Sequence, residues 1–126
     1  MLIDDNPDDN FFHERVIKKN DFADTVIVMT TAKEALQYLQ SRDTSRDALP
    51  DLIFLDINMP GMNGWDFLQD YSALEKHLQS RLVVIMLTTS ENTDDYKRAI
   101  ESKIPSSFKT KPLTKQKVDE IIEYYF

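Results

Sequence analysis

Four short runs, the uninterrupted apolar Met1-Leu2-Ile3, Leu52-Ile53-Phe54-Leu55 and Leu82-Val83-Val84-Ile85-Met86-Leu87 and the mixed Pro105 to Phe108, are separated by stretches in which apolar residues recur at three- and four-residue spacing. Runs of that length have the size of strands. Their lack of strict alternation means that both faces of each strand are covered, as in a parallel sheet with helices above and below. A further strand is predicted from Asp24 to Thr30. The order of runs and helical stretches is the alternation of an open α/β fold with five strands and five helices.

The helices carry their own start signals. Asn6 followed by Pro7 predicts a cap and a first helical position, and Asp9 in the first turn suits the positive end of the helix dipole. The stripe Phe12, Val16 and Ile17 is expected to face the sheet. A second helix begins near Ala32, with Ala35, Leu36 and Leu39 on its buried side. Ser41 to Pro50 is polar and turn-rich, hence a loop. Pro60-Gly61-Met62-Asn63-Gly64 leads into a third helix that buries Trp65, Leu68 and Tyr71. Residues 93–102 predict a short fourth helix, and 115–125 a fifth with Val118, Ile121, Ile122 and Tyr125 inward. With no repeat, low-complexity tract or linker, residues 1–126 read as one domain.

Four of the five strands end on a group with chemistry. Asp4 and Asp5 follow the first run, Asp56 the third, Thr88 the fourth and Lys111 the fifth. In an open α/β sheet such groups meet outside the carboxyl ends of the strands. Three carboxylates gathered there repel one another, and a divalent cation relieves the repulsion better than one lysine can. Oxygen ligands favour Mg²⁺. Asp4 and Asp5 are adjacent on an extended backbone and point to opposite sides, so that one binds an ion directly and the other through water. A carboxylate beside Mg²⁺ can attack a phosphoryl group to form an acyl phosphate, with an ammonium neutralising the phosphoryl oxygens. Lys111 would be that ammonium, held extended by Pro112, and Thr88 can donate its hydroxyl.

Composition narrows the setting. With 41% hydrophobic and 29% charged residues among 126, the chain can bury a substantial core. It has no cysteine, which excludes disulfides and thiolate metal sites. It has no apolar stretch near the ~20 residues of a membrane span, and no charged leader before its first apolar run, so a cytoplasmic protein is expected. A net charge of −7 argues against a nucleic-acid surface and for a protein partner. His13 and His77 are read as solvated helix residues, and Trp65 as core.

The run Asp56-Ile57-Asn58-Met59-Pro60-Gly61-Met62-Asn63-Gly64, with Asp4-Asp5 upstream and Thr88 and Lys111-Pro112 downstream, resembles the receiver domain of two-component response regulators over essentially the whole chain. The resemblance implies a flavodoxin-like, doubly wound sheet of order 2-1-3-4-5. It makes Asp56 the phosphoacceptor, Asp5 and Asp56 direct Mg²⁺ ligands, Asn58 a ligand through its backbone carbonyl, and Asp4 a contact through water. Thr88 and Lys111 would contact the phosphoryl group. The chain would catalyse its own phosphorylation and dephosphorylation rather than act as a metabolic enzyme. A sensor histidine kinase or phosphotransfer protein would be the donor, and a downstream protein or a second copy of the chain would dock on the fourth helix, fifth strand and fifth helix; Tyr124 and Phe126 are either aromatics of a fraying helix end or part of that surface.

Resemblance also implies a switch in which Thr88 moves inward and Phe108 follows. Lacking a hydroxyl, Phe108 has little reason to prefer an exposed rotamer, so a weaker, more steric toggle is expected than a tyrosine would give. Asn58 and Ser90 are small and leave room for water, which suggests self-dephosphorylation on an intermediate timescale. The chain departs from the pattern in having only three residues before Asp4 and in carrying Lys103-Ile104-Pro105-Ser106-Ser107 where a small Gly-Ala-type pair is usual. It ends on the fifth helix, as stand-alone receivers do; an excised receiver would look the same. Two alternatives stay open. A phosphorylation-independent scaffold usually lacks one of the key residues, whereas all are present here, and a phosphorelay intermediate has the same sequence signature.

Overall fold

The computed structural model describes residues 1–41, 50–74, 83–88, 97 and 107–126. Its elements are β1 (Leu2–Ile3), α1 (Pro7–Lys19), β2 (Val28–Met29), α2 (Ala32–Ser41), β3 (Leu52–Asp56), α3 (Gly64–Ser72), β4 (Val83–Thr88), β5 (Ser107–Thr110) and α4 (Lys115–Tyr125). All strand pairings are parallel, in the order β2-β1-β3-β4-β5. The strand order is thus the expected 2-1-3-4-5. The helix expected over 93–102 falls outside the described residues except for Lys97, which is helical. Of the loop expected from Ser41 to Pro50, Ser41 instead closes α2 and residues 42–49 lie outside the described residues, as do His77, Ser90 and residues 103–106.

Successive residues of a strand point to opposite faces, and here each face has its own core. Ile53, Leu55, Val84 and Met86 join Ile3 in packing against α2 and α3, through Ala35, Leu36, Leu39, Phe67, Leu68 and Tyr71. Leu2, Phe54, Ile85 and Leu87 pack on the other side against Ile17 of α1 and Val118 and Ile121 of α4. This two-sided burial is why the strands read as unbroken apolar runs. Trp65 is buried, as expected. Among the described residues, no helix is long and apolar enough to cross a membrane.

The second strand is shorter than the predicted span of 24–30. Only Val28 and Met29 pair with Leu2 and Ile3, with further bonds from the Leu2 N–H to the Ile27 carbonyl and from the Asp4 N–H to the Met29 carbonyl. A two-residue β1 has no more backbone groups to offer, so the apolar residues Val26 and Ile27 are half-buried outside any ladder.

Helix α1 begins as predicted, with Asn6 accepting hydrogen bonds from the Asp8 and Asp9 N–H groups and Pro7 in the first turn. Its buried face agrees with the predicted stripe at Ile17 and at the half-buried Val16, but not at Phe12. Phe12 is 46% exposed, and the helix buries Asn10, His13 and Ile17. His13 is only 2% exposed and accepts a hydrogen bond at Nε2 from the Leu113 N–H, 3.3 Å away. Both corrections share one cause. Near the strand ends α1 faces backbone groups that need partners, and polar side chains satisfy them where Phe12 would leave them orphaned.

Candidate functional site

Sheet register assembles the site. Ile3 lies beside Leu55, Leu55 beside Met86 and Met86 beside Phe108. One step further along, Asp4 and Asp56 become neighbours at the carboxyl ends of β1 and β3, and Thr88 closes β4 opposite Thr110. Lys111 follows directly, its N–H bonded to the Thr88 carbonyl at 2.7 Å and its peptide to Pro112 cis. The five strand-end residues are therefore at one edge.

Carboxylate oxygens of Asp4, Asp5 and Asp56 come within 4.8 Å of one another. Asp4 and Asp56 are buried, whereas Asp5 is exposed. The Lys111 ammonium lies 2.7 Å from Asp4 Oδ2, 2.8 Å from Asp9 Oδ2 and 3.3 Å from Asp56 Oδ1. Burial, with the Asp4 charge next, pushes the Asp56 carboxyl up to about 6 despite the opposing Lys111. For Lys111 burial works against the ammonium, yet the hydrogen bonds to Asp4 and Asp9 prevail and hold it above its usual range. Lys111 thus stays charged, and Asp56 is the acid left undercompensated. The donor set, all hard oxygen with one dehydrated carboxylate still short of positive charge, fits Mg²⁺.

Around this centre, Thr88 is fully buried. Asn58 is exposed in the loop after β3, close enough in sequence to offer its carbonyl to the acidic cluster. Phe108 is half-buried against the α2/α3 core, neither fully inward nor fully outward. Gly64 brings α3 back onto the strand end, its N–H bonded to the Ile57 carbonyl at 2.8 Å.

Three functional neighbours were not anticipated from sequence. Asp9, read only as a helix-dipole partner, shares the lysine. Asn10 donates from Nδ2 to the Asp4 carbonyl at 2.8 Å, and His13 receives the Leu113 N–H. A signal was available. Asn10, His13 and Ile17 stand at one-face spacing, and two polar residues on the sheet-facing side of a helix point to backbone that needs partners.

His13 also makes a pH prediction. Burial, then the Lys111 charge, holds its imidazole below the usual 6.5, with Asp9 and Asp4 opposing and Lys117 assisting. A lowered folded-state pKa means that, as pH falls below 6.5, the unfolded chain takes up a proton that the folded chain refuses, so His13 costs stability on acidification. Asp56, raised in the folded state, has the opposite slope. Comparing His13→Gln with the wild type by urea unfolding cancels it. The wild type is expected to lose more stability than the variant between about pH 7 and about pH 5. Parallel pH profiles would overturn this.

The response regulator receiver domain model matches residues 1–123. The chain belongs to that family. Among curated relatives, the probable methanogenesis regulatory protein FilR2 of Methanothrix harundinacea is 29% identical over 99% of this chain and 81% of its own length. Response regulator Rcp1 of Synechocystis is 28% identical over 75% of this chain, which spans 64% of Rcp1. Among solved structures, a two-component response regulator from Cytophaga hutchinsonii superposes with a TM-score of 0.89 at 25% identity, covering 98% of this chain and 92% of its own. This receiver therefore shares fold and family with response regulators, and with them the general role of a signalling switch.

Proposed function

We propose that this receiver, one domain over residues 1–126, is switched by phosphorylation of Asp56. The observation that carries the reading is the buried Asp56 carboxylate beside a charged lysine and a buried hydroxyl, with two further acids in reach. Asp56 Oδ attacks the phosphorus of a phosphohistidine on a sensor kinase or phosphotransfer protein; the P–O bond forms as the P–N bond breaks, and the imidazole nitrogen leaves with the electron pair. The product is an acyl phosphate.

Lys111 then exchanges its long contact with Asp56 for a phosphoryl oxygen, and the Thr88 hydroxyl donates to another. Asp5, Asp56 and the Asn58 carbonyl would hold Mg²⁺, with Asp4 acting through water; the ion would neutralise charge on the phosphoryl oxygens. Drawing Thr88 towards the phosphoryl group opens space for Phe108, whose half-buried position leaves a short steric travel. The output surface is β5 with α4, where Tyr124 and Phe126 are 81% and 64% exposed, and its partner is a downstream protein or a second copy of the chain. The cysteine-free composition is compatible with a cytoplasmic setting.

Intact-mass measurement after incubation with a small phosphodonor and Mg²⁺ tests the reading. One phosphoryl adduct, stable to acid and labile to base, is expected, falling to background when EDTA replaces Mg²⁺. Borohydride reduction and peptide mapping should place it at Asp56. No adduct, or an adduct elsewhere, sinks the proposal in favour of a phosphorylation-independent scaffold.

A further inference from the structure

Helix α1 grips the stretch around Lys111 at two points. At the side-chain end, Asp9 Oδ2 takes the ammonium at 2.8 Å. At the backbone end, two residues beyond the lysine, the Leu113 N–H donates to His13 Nε2 at 3.3 Å. Asp9 and His13 are four residues apart, so they occupy one face of the helix. Asn10, between them, ties the same helix to β1 through the Asp4 carbonyl at 2.8 Å.

These contacts are buried where it matters. His13 is 2% exposed, and Leu113 is fully buried in the core beneath α1 and α4. Water cannot replace the imidazole as acceptor for the Leu113 N–H, and an orphaned buried N–H costs its desolvation. The Lys111-Pro112-Leu113 turn is thus fixed on its buried side by the Thr88 carbonyl, which accepts from the Lys111 N–H, and by His13, while on its outer side Lys117 Nζ donates to the Thr110 and Pro112 carbonyls at 2.7 and 2.9 Å. Without the His13 anchor, the Leu113 N–H is orphaned and that end of the turn is held only by the Leu113 side chain and by Lys117 on its exposed side, so the ammonium's aim loosens. An angular shift at the backbone is amplified along the lysine's four-carbon stem, and misplacement by about 1 Å is enough to cost a catalytic group most of its effect.

We infer that His13 is a positioning residue for Lys111, holding the turn after β5 so that the ammonium sits over the phosphoacceptor. This rests on the proposed role of Lys111 in phosphoryl uptake. It assigns to α1 a part in the chemistry through backbone anchoring, distinct from the acids at the ends of β1 and β3.

The test is a double-mutant cycle on the full chain. Phosphoryl uptake from a small phosphodonor with Mg²⁺ is measured for the wild type, His13→Phe, His13→Gln, Lys111→Ala and His13→Phe combined with Lys111→Ala, with far-UV circular dichroism confirming folding. His13→Phe fills the space but accepts no hydrogen bond; the His13→Gln amide oxygen can accept one. His13→Phe is expected to slow uptake about 5- to 10-fold through the rate at saturating phosphodonor, His13→Gln to recover most of it, and His13→Phe to have no effect once Lys111 is alanine. A Leu113 amide proton shifted upfield in His13→Phe and restored in His13→Gln would accompany this. Should His13→Phe match the wild type while Lys111→Ala is impaired, the positioning role is overturned and the lysine's role stands. The positioning role is equally overturned if His13→Phe slows uptake as much without Lys111 as with it. If Lys111→Ala matches the wild type, the lysine's role fails, and the inference with it. If His13→Phe does not fold, His13→Gln against His13→Leu carries the same comparison.

Discussion

Asp56→Asn is expected to take up no phosphoryl group and, in metal-free buffer, to be more stable than the wild type. The loss follows from nucleophilicity, since an amide oxygen does not displace a phosphoryl leaving group as a carboxylate does. The gain follows from the electrostatics of the empty strand edge. Burial and the Asp4 charge raise the Asp56 carboxyl from 3.8 to about 6 in the folded chain. A raised folded-state pKa means that the folded chain binds the extra proton between those values, so that stability is lost as pH rises through about 6 and stays lost above it. The asparagine amide has the same shape, carries no charge and escapes that cost. The shift, in which the attraction of Lys111 is already included, corresponds to roughly 3 kcal/mol; the cost of burying the amide itself leaves a net gain on the order of 1–2 kcal/mol, or several degrees in Tm. The gain should shrink as pH is lowered towards about 4, where the wild-type carboxyl is protonated too. Adding Mg²⁺ should raise the Tm of the wild type more than that of the variant. A variant less stable than the wild type at about pH 7.5 would overturn the electrostatic account.

The strands and their end residues were legible because both are written in continuous sequence: an apolar run gives a strand, and Asp4, Asp56 and Thr88 each stand directly after one, whereas the strand order came from the resemblance to receiver domains. The two-sided cores of Leu55 and Phe54 follow from the same runs. What escaped the pattern was α1. Phe12 suggested an inward stripe by hydrophobicity alone, yet the ground facing the helix there is the Asp4 carbonyl and the Leu113 N–H, which only residues distant in sequence could reveal. His13 was misread for that reason. Its acceptor role depends on a partner 100 positions away. Asp9 illustrates a different limit. Its place in the first turn of α1 was correct, and that place already gave it a reason to be acidic, which hid its second use as a lysine partner. The second strand was overestimated because its length is set by β1, a property of the neighbour.

Gly64→Ala is expected to damage both fold and function, in contrast to Gly61→Ala in the same loop. A Cβ on Gly64 would lie 2.7 Å from the Asp56 carbonyl oxygen and 2.9 Å from the Ile57 Cα, both backbone atoms of the strand end that carries the Asp56 carboxylate. The Met86 Cε, at 3.3 Å, can move aside; the backbone cannot without breaking the Gly64 N–H bond to the Ile57 carbonyl. Relief requires α3 to back away from β3, and the Asn63–Asp66 capping box at its start moves with it. Overpacking of this kind costs about 1–3 kcal/mol, and against backbone the upper end is expected. Because the crowded atoms are the carbonyl of Asp56 and the Cα of Ile57 next to it, the Asp56 backbone shifts with them, and phosphoryl uptake should fall at least about tenfold, a loss that a 1 Å misplacement suffices to produce. Gly61 has a φ of +78° and nothing within 4 Å of its would-be Cβ, so its alanine variant pays only the conformational cost, about 1 kcal/mol. Its uptake should stay within about twofold of the wild type. Urea unfolding and intact-mass measurement on the two variants separate close approach from backbone conformation. Equal losses in both would mean that the loop's flexibility, rather than the contact of Gly64 with the phosphoacceptor strand, governs the site.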